Sequence, residues 1–238
     1  IYQKQCSNCP LYSDWEKKTL INANLVNENQ ISVVGCARLD FSFNFQKELP
    51  ENNIILYFMI EPRRGVPGRK IFYDWSPLSL ETTQYLLEYA KENSNIQVIF
   101  KGKVGTHKRS DLPKILPKNC IFISGGTGHQ FMKKAKIVIG FNSATVMEAI
   151  AARKNLIIPN FKIDNLKLKD YLPNMQVSKY YANNRFEFKE KLNKYYKKNF
   201  EISQLDEEEK RFLDDTLGNC DGYSGDRLKL FIKNSLFN

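Results

Sequence analysis

The sequence predicts an α/β fold with a doubly wound parallel sheet of about six strands, helices on both faces, and additional helices at the C-terminal end. Two observations support this prediction. Short apolar runs rich in β-branched residues recur along the chain, as in strands that are buried on both faces. Helical patterns separate several of these runs, and strands that alternate with helices pair in parallel through right-handed crossovers.

The strand candidates begin at residue 31. Each is nearly continuously apolar and spans roughly four to eight residues, the length of a strand rather than of a helix. The helix candidate at 79–92 places Leu80, Thr83, Leu87 and Ala90 on one side. The strand candidates are 31–35, 53–60, 95–100, 120–124, 136–140 and 155–159, and the other helix candidates among them are 130–134 and 143–153.

The two ends of the chain do not follow this alternation. We predict that residues 1–30 are an interdomain linker or the remnant of an N-terminal domain, that 31–200 form the domain itself, and that 201–238 form C-terminal helices. Within the domain, the region 160–198 is predicted to contain long loops and peripheral helices. The C-terminal helix candidates are 207–215 and 224–237. The second has an apolar stripe, so we expect it to pack across the domain or onto a neighbouring one; the stripe is Leu228, Phe231, Ile232 and Leu236.

The composition indicates a globular protein with an anionic partner. Of the 238 residues, 42% are hydrophobic and 13% aromatic, enough for a sizeable core. The net charge of +10 favours nucleic acid, anionic lipid or a sugar nucleotide. No apolar run approaches the roughly 20 residues that cross a bilayer, and the first residues lack a signal-peptide pattern. We therefore expect a cytoplasmic protein.

Cysteine and histidine usage argues against a metal site. The five cysteines are an odd number with scattered spacing, which predicts reduced thiols. Cys6 and Cys9 form a C-x-x-C pair, but no second pair completes a zinc site. The only histidines are His107 and His129, too few for a site based on histidine. We expect neither a metal nor a cofactor.

The segment 136–159 is the most informative. A strand ends at Gly140, and small residues then open a helix whose free N–H groups and dipole suit a diphosphate. Glu148 follows within this helix, where its carboxylate can accept hydrogen bonds from ribose hydroxyls. The segment has a second interpretation without a ligand, since Thr145-x-x-Glu148 is also a capping box and Asn142 or Ser143 an ordinary N-cap. The predicted donor-binding residues here are Asn142, Ser143, Ala144, Thr145 and Glu148.

Loops at the ends of other strands add cationic groups. The loop 61–70 contains Arg63, and the loop 100–109 contains Lys103. Both would face the crevice at the carboxyl ends of the strands, where doubly wound sheets bind ligands. Together with Arg38, they are our candidates for electrostatic stabilisation of a departing phosphate. The alternative is that these residues are ordinary solvated surface charges.

A glycine-rich loop, 124–130, follows the fourth strand candidate. Its glycines let the backbone approach a flat ligand closely. The loop lacks the G-K-[ST] ending of a phosphate loop and does not match G-x-G-x-x-G. We interpret His129 as a residue at a helix start or hinge. The predicted donor-binding residues of this loop are Ser124, Gly125, Gly126, Thr127 and Gly128.

These motifs resemble those of GT-B glycosyltransferases. The segment 136–159 is similar to their donor-binding strand, loop and helix, through the residues Asn142, Ser143, Thr145, Glu148, Ala149 and Pro159. The upstream G-x-x-R-x-D pattern of Gly35, Arg38 and Asp40 is similar to one in proteins of surface-carbohydrate and capsule biosynthesis. The tail resembles their D-G-x-S-x-x-R-[IL] motif, which we interpret as structural, through Asp221, Gly222, Ser224, Arg227 and Leu228.

The resemblance implies the C-terminal, nucleotide-sugar-binding half of a GT-B enzyme, with a Rossmann-like fold. It places the nucleobase beside 124–128 and adds Gly35 to the donor-binding residues. An N-terminal half would bind the glycan or lipid-linked acceptor and supply any base, near an anionic membrane surface. No D-x-D motif is present, so no divalent metal is expected.

Three alternatives stay open. The first is a sugar-nucleotide epimerase of the same fold, although the D-S-G-G motif of those enzymes is replaced here by residues 141–144. The second is a glycerophosphate transferase. The third is a non-catalytic module that binds anions through its basic face. Nucleic acid is not expected as a partner, because the sequence offers no recognition helix or RNA-binding aromatic strand.

Overall fold

A computed structural model shows the architecture of most of the chain. It describes residues 8–45, 50, 53–61, 63–65, 72–105, 109–141, 143–161, 177–202, 204–219 and 221–237, without the side chains of 63–65, 72–73 and 236–237. The strands are β1 (Cys9–Leu11), β2 (Ile31–Val33), β3 (Ile54–Phe58), β4 (Arg63–Gly65), β5 (Phe72–Asp74), β6 (Gln97–Lys101), β7 (Cys120–Ile123), β8 (Ile137–Ile139), β9 (Asn155–Pro159) and β10 (Tyr181–Ala182). The helices are α1 (Asp14–Asn22), α2 (Ala37–Asn44), α3 (Ser76–Glu92), α4 (Gly128–Lys134), α5 (Ala144–Ala151), α6 (Arg185–Lys197), α7 (Glu207–Leu217) and α8 (Ser224–Phe237).

The main sheet has six parallel strands in the order β10-β9-β8-β3-β6-β7. The chain starts in the middle at β3, proceeds outward to β6 and β7, and returns to β8 on the other side of β3. Ligands bind at such a reversal, in the crevice beyond the carboxyl ends of the strands. The predicted fold class is confirmed.

One predicted strand lies elsewhere. The run 31–35 does not join the main sheet, because β2 pairs with β1 in a separate two-stranded parallel sheet. Its residues are half-buried or exposed, whereas the central strands β3 and β8 are buried on both faces. The sixth strand is β10 instead, which pairs with the end of β9 and comes from the region that we predicted as loops and peripheral helices. A strand of two residues is too short to show a period in the sequence.

The core lies between the sheet and the helices on its faces. Leu56, Val138 and Ile157 in the central strands have no exposed surface. Helix α3 begins at Ser76, earlier than predicted, with a proline in its first turn, where the missing N–H leaves no hydrogen bond broken. It buries Thr83, as predicted, but leaves Leu80 exposed.

The terminal segments fold back on the domain. Helix α1 packs against α7, and the Ser13 hydroxyl accepts the N–H of Glu16 and donates to the carbonyl of Asp215 at 2.9 Å. Helix α8 packs against α2, where the Asp40 carboxylate accepts the N–H groups of Ser224 and Gly225. Two apolar side chains of α8, Leu230 and Ile232, stay exposed. The linker role of residues 1–30 and the division at 200 stay predictions.

Candidate functional site

A cavity of about 290 Å³ opens at the carboxyl ends of β3, β6 and β8. Its apolar wall consists of Phe58, Met59, Trp75 and Phe141. Polar groups come from the chain segments that follow the strands. The rings of Trp75 and Phe141 pack edge to face with their centroids 4.9 Å apart, which fixes this wall. The cavity therefore occupies the crevice in which the sequence predicts a ligand.

The start of α5 forms one side of the cavity, through Ser143 and Thr145. Ser143 is the N-cap: its hydroxyl accepts the Thr145 N–H at 3.3 Å and the Thr145 hydroxyl at 2.9 Å. The positive end of the helix dipole thus faces the cavity. Gly140 lets the strand approach the helix, since a Cβ there would lie 3.0 Å from Val146. Ala144 is exposed, and Asn142 lies outside the described residues.

Glu148 does not cap this helix. Its carboxylate is buried and forms an ion pair with Arg38, Nη2 to Oε1 at 2.8 Å. The other oxygen, Oε2, lies 3.5 Å from Nε2 of His129. The capping-box interpretation of Thr145 and Glu148 is therefore wrong, whereas the N-cap at Ser143 is confirmed. Neither Glu148 nor Arg38 lines the cavity itself.

His129 completes a cluster that sequence reasoning missed. Its Nε2 atom is buried and makes no hydrogen bond with the described residues. Its ring stacks on Phe41, with centroids 6.0 Å apart, and Phe41 is 65% exposed. Helices α2, α4 and α5 thus bring Arg38, His129 and Glu148 together. No sequence pattern indicates this contact, because the three residues belong to separate elements.

The glycine loop reaches the cavity through two residues, Gly126 and Gly128. Gly126 has a φ of +74°, a conformation that favours glycine, and a Cβ on Gly128 would lie 3.0 Å from the ring of Phe58. Both glycines therefore have structural reasons for their identity, besides their position at the site. The other predicted residues of this loop, Ser124, Gly125 and Thr127, do not line the cavity.

Gly35 lies at the base of α8. Its φ is +82°, and a Cβ there would lie 2.4 Å from the Ser224 hydroxyl oxygen and 3.2 Å from Nη2 of Arg227. Arg227 itself donates to the Val34 carbonyl and pairs with Asp221 at 2.8 Å. This geometry gives Gly35 a packing role, and its donor-binding role stays a prediction.

The predicted cationic residues divide into three cases. Lys103 is exposed at the cavity rim. Arg38 is the ion-pair partner of Glu148. Arg63 lies in β4, which pairs with β5 in a small antiparallel ribbon, and its side chain lies outside the described part of the chain, as does all of His107. Of the three, Lys103 is the one that the structure places at the cavity.

Lys101 also lines the cavity, and sequence reasoning did not select it. It is the last residue of β6 and is 7% exposed, and its Nζ donates to the Gly102 carbonyl at 2.7 Å. Burial lowers the pKa of this lysine. The available signal was a lysine that directly continues an apolar run, which places the charge inside the crevice rather than in the loop beyond it.

Two features are absent from the described residues. These residues contain no group of three or more histidine, cysteine, aspartate or glutamate side chains placed to hold a metal ion. They also contain no helix that combines the length and the apolar character needed to span a bilayer. The buried cysteines Cys36 and Cys120 are free thiols, and burial raises the pKa of Cys120 to about 11.

Comparison with known proteins gives matches in structure alone. No protein-family model and no curated protein matches the sequence. A UDP-GlcNAc 2-epimerase from Methanocaldococcus jannaschii superposes with a TM-score of 0.55 at 12% identity, over 96% of this chain and 62% of that one. The UDP-GlcNAc 2-epimerase from Neisseria meningitidis, solved with UDP-GlcNAc bound, gives 0.53 at 13% identity, over 98% and 61%.

A wall teichoic acid polymerase gives a TM-score of 0.50 at 12% identity, over 98% of this chain and 60% of that one. The chain thus spans about three fifths of the length of these solved structures. At such identities the likeness establishes the fold. The chain therefore has the Rossmann-like fold of one half of a GT-B enzyme, as the resemblance in its sequence predicts.

Proposed function

We propose that this chain is the donor-binding half of a GT-B glycosyltransferase, which transfers a sugar from a nucleotide-activated donor to a growing cell-surface glycan. The observation that carries the proposal is the cavity at the strand ends, where the start of α5, the glycine loop and Lys103 meet. A helix N-terminus and cationic side chains are complementary to a diphosphate. The solved structures of the same fold include one with a nucleotide sugar bound.

The proposal gives several of the predicted contacts a role. The diphosphate would lie against Ser143 and Thr145, with Lys103 at the rim. The nucleobase would lie beside the glycine loop. Glu148 would accept hydrogen bonds from the ribose, because its Oε2 has no hydrogen-bonding partner among the described residues beyond the 3.5 Å approach of His129. The acceptor and any catalytic base would come from an N-terminal half.

Further parts of the proposal concern the setting of the reaction. We expect it to proceed without a divalent metal, at the inner face of the cell membrane, on a glycan or lipid-linked acceptor. The support is the absence of a D-x-D motif and the net charge of +10. Activity that is unchanged by a chelator would agree with this expectation, and activity restored only by Mg²⁺ or Mn²⁺ would contradict it.

A sugar-nucleotide epimerase is the second candidate, because two of the structures with this fold are UDP-GlcNAc 2-epimerases. The two candidates differ in what they require. An epimerase converts the donor without an acceptor, whereas a transferase leaves the sugar on the nucleotide until an acceptor is present. Incubating the full-length protein with the bound nucleotide sugar alone, and following its proton NMR spectrum, separates them.

The first experiment is a thermal-shift screen of the chain against UDP, GDP, CMP, CDP-glycerol and an oligonucleotide. Ligands that bind only the folded state raise the melting temperature. We expect one class of nucleotide to stabilise the protein and the oligonucleotide to have no effect. Stabilisation by none of the nucleotides, or by the oligonucleotide alone, would overturn the proposed function.

A further inference from the structure

The cavity contains two charged groups to which the proposed diphosphate contacts give no role, Lys101 and Glu61. Its volume of about 290 Å³ lies near the lower limit of small-molecule sites, which run from roughly 300 to 1,000 Å³. A space of that size holds a part of a nucleotide sugar rather than all of it. The chemistry of its walls therefore indicates which part.

Lys101 differs from two other buried or half-buried lysines, Lys136 and Lys154, in what compensates its charge. Lys136 donates to the Tyr196 carbonyl in the last turn of α6, and Lys154 donates to the Lys133 carbonyl in the last turn of α4. Both sit at the negative end of a helix dipole, which favours a cation. Lys101 donates to the carbonyl of its own neighbour, Gly102, at the end of a strand.

The ammonium group of Lys101 thus has unused donors. It has three N–H groups, one of which accounts for the bond to Gly102. No carboxylate among the described residues forms an ion pair with it at 4.0 Å or less, and burial alone accounts for its lowered pKa. A buried charge without a partner is unfavourable, so this arrangement suits an anion that arrives with a ligand.

Glu61 supplies an acceptor at the same cavity. Its Oε1 atom is buried and accepts no hydrogen bond from the described residues. Among the described residues, the cation that pairs with it is Arg109, whose Nη1 lies 3.9 Å away, beyond hydrogen-bonding distance. The other nitrogens of Arg109 that form bonds are directed at Asp111, the Ile60 carbonyl and the Ser79 hydroxyl. Arg109 therefore offsets part of the Glu61 charge and leaves its lone pairs free.

The aromatic wall completes the site. Trp75 and Phe141 form the apolar side, and Phe58 lies beneath Gly128. An apolar surface next to one unsatisfied carboxylate suits a ring that has C–H groups on its face and hydroxyls at its edge. A carboxylated ring would bring a second negative charge toward Glu61, which is unfavourable in a partly desolvated cavity.

We propose that the cavity binds the transferred group of the donor together with its attached phosphate, with Lys101 donating to a phosphate oxygen and Glu61 accepting a hydrogen bond from a hydroxyl of a neutral sugar. This inference rests on the proposed function and deepens it. It assigns Lys101 to the phosphate side and Glu61 to the sugar side of the bond that breaks. It also names the class of sugar: uncharged and hydroxylated, rather than an acidic sugar.

The test of Lys101 measures binding by calorimetry with inorganic pyrophosphate and with UDP, or with GDP if the screen selects guanosine. We expect Lys101→Met to weaken both by roughly tenfold to a hundredfold, the range for a charged hydrogen bond, and to leave the nucleoside unaffected. Lys101→Arg, which keeps the charge, should retain most of the affinity. Lys136→Met is the matched control: it loses a lysine bonded to a carbonyl and should melt earlier with unchanged affinity.

The test of Glu61 compares UDP, UDP-glucose and UDP-glucuronic acid, or the guanosine equivalents. We expect UDP-glucose to bind more tightly than UDP, and UDP-glucuronic acid more weakly than UDP-glucose. Glu61→Gln should reduce the preference for the neutral sugar over the acidic one by about tenfold, without changing the affinity for UDP. An unchanged preference, or a folded Lys101→Met variant with wild-type affinity, would overturn the inference.

The pyrophosphate measurement separates this inference from the proposed function. Pyrophosphate binding that requires Lys101, in a protein that binds no nucleotide, would support the anion site and overturn the glycosyltransferase proposal. Nucleotide binding that does not change when Lys101 or Glu61 is substituted would support the glycosyltransferase proposal and overturn this inference.

Discussion

Glu148 places a carboxylate inside the molecule with a different neighbour at each oxygen. Arg38 pairs with Oε1 at 2.8 Å and is itself 55% exposed, so it compensates the buried charge while remaining in contact with solvent. His129 approaches Oε2 without forming a hydrogen bond. The sequence indicated Glu148 and Arg38 as separate functional residues. The structure shows instead that Arg38 is the ion-pair partner of Glu148. Substituting either residue therefore also changes the environment of the other.

The first prediction concerns the ribose. Glu148→Gln keeps the shape of the side chain and removes its charge, so a carboxylate that accepts ribose hydroxyls should lose a charged hydrogen bond. We expect the preference for UDP over 2′,3′-dideoxy-UDP, measured by calorimetry, to fall roughly tenfold. Glu81→Gln, which breaks a surface pair with Arg185, is the control and should leave the preference intact. An equal preference in Glu148→Gln and wild type would assign Glu148 a purely structural role.

At the scale of elements, α8 is attached to the domain by a small number of contacts with strict steric requirements. Asp40 accepts two N–H groups at its start, and Gly35 leaves no room for a side chain beneath Ser224. Both residues belong to the G-x-x-R-x-D pattern, and Ser224 and Arg227 belong to the tail motif. The two motifs that resemble those of surface-carbohydrate enzymes therefore meet in space. Their described contacts are hydrogen bonds and close packing between α8 and the segment 34–40.

The second prediction tests this attachment. Gly35→Ala introduces a Cβ that would lie 2.4 Å from the Ser224 hydroxyl oxygen, at a φ of +82°. We expect the free energy of unfolding, measured in urea, to fall by about 1–3 kcal/mol from the backbone conformation alone. Gly125→Ala is the matched control, since a Cβ there meets no atom within 4 Å and its φ is not positive. Equal free energies of unfolding for the two variants would show that α8 shifts to accommodate the added Cβ at no energetic cost.

The third prediction concerns the connection that follows β6. Burial raises the pKa of Asp111, but hydrogen bonds from Arg109 and Ser79 outweigh it and hold that pKa below its usual value. Asp111 therefore stabilises the fold above its unfolded pKa of roughly 3.9, and this contribution is lost as the pH falls through the lower folded value. We expect Asp111→Asn to lower the free energy of unfolding by about 3 kcal/mol at pH 7.

In acid, the difference in free energy of unfolding between the wild type and Asp111→Asn should become smaller, because protonation of Asp111 weakens its ion pair with Arg109 in the wild type. Asp214 provides the opposite sign: burial and the neighbouring Asp215 raise its pKa, so Asp214→Asn should stabilise the protein at pH 7 and lose that effect in acid. Urea unfolding at pH 7 and near pH 3 measures both variants. A difference in free energy of unfolding between Asp111→Asn and the wild type that becomes larger in acid would contradict the assigned ion pair.

The sequence revealed most of the elements, and the reason is physical. Five of the six strand candidates lie in the main sheet, because strands that are buried or half-buried on both faces leave a continuous apolar run. The helices at 207–217 and 224–237 also lie where they were predicted. The two errors in the sheet have local causes: β10 has only two residues, and β2, predicted as a strand, pairs with β1, 22 positions earlier, instead of joining the main sheet. The site was partly predictable, since Ser143, Thr145, Gly126, Gly128 and Lys103 line the cavity. Lys101 had a signal in the apolar run that it ends, whereas Glu61 and Trp75 reach the cavity only through tertiary packing.

At the scale of the whole molecule, two properties are informative: the net charge, and the share of the similar solved structures that the chain spans. The chain carries a net charge of +10 and spans about three fifths of the solved structures that share its fold. A partner domain and an anionic surface are both consistent with this pair of facts. The exposed apolar side chains Leu230 and Ile232 lie on α8, which does not line the cavity.

The fourth prediction tests the membrane part of the proposal. If the basic charge acts at a lipid surface, the chain should cosediment with vesicles containing phosphatidylglycerol and much less with neutral phosphatidylcholine vesicles. Raising the salt from about 0.05 to 0.5 M should release most of the bound protein, because screening shortens the reach of the charges. Equal binding to both vesicle types, or binding that persists in high salt, would contradict an electrostatic attachment.

The contact between Ser13 and Asp215 also constrains how the chain folds. These residues are 202 positions apart, and nearby Gly218 fits so closely against Tyr12 that a Cβ would lie on its carbonyl oxygen. Closing so long a loop costs entropy that only an already formed sheet reduces, so we expect β3 to β9 to assemble first and the two ends to join last. The N-terminal strand pair would then be the final structure to form, and the first to open when α7 or α8 is loosened.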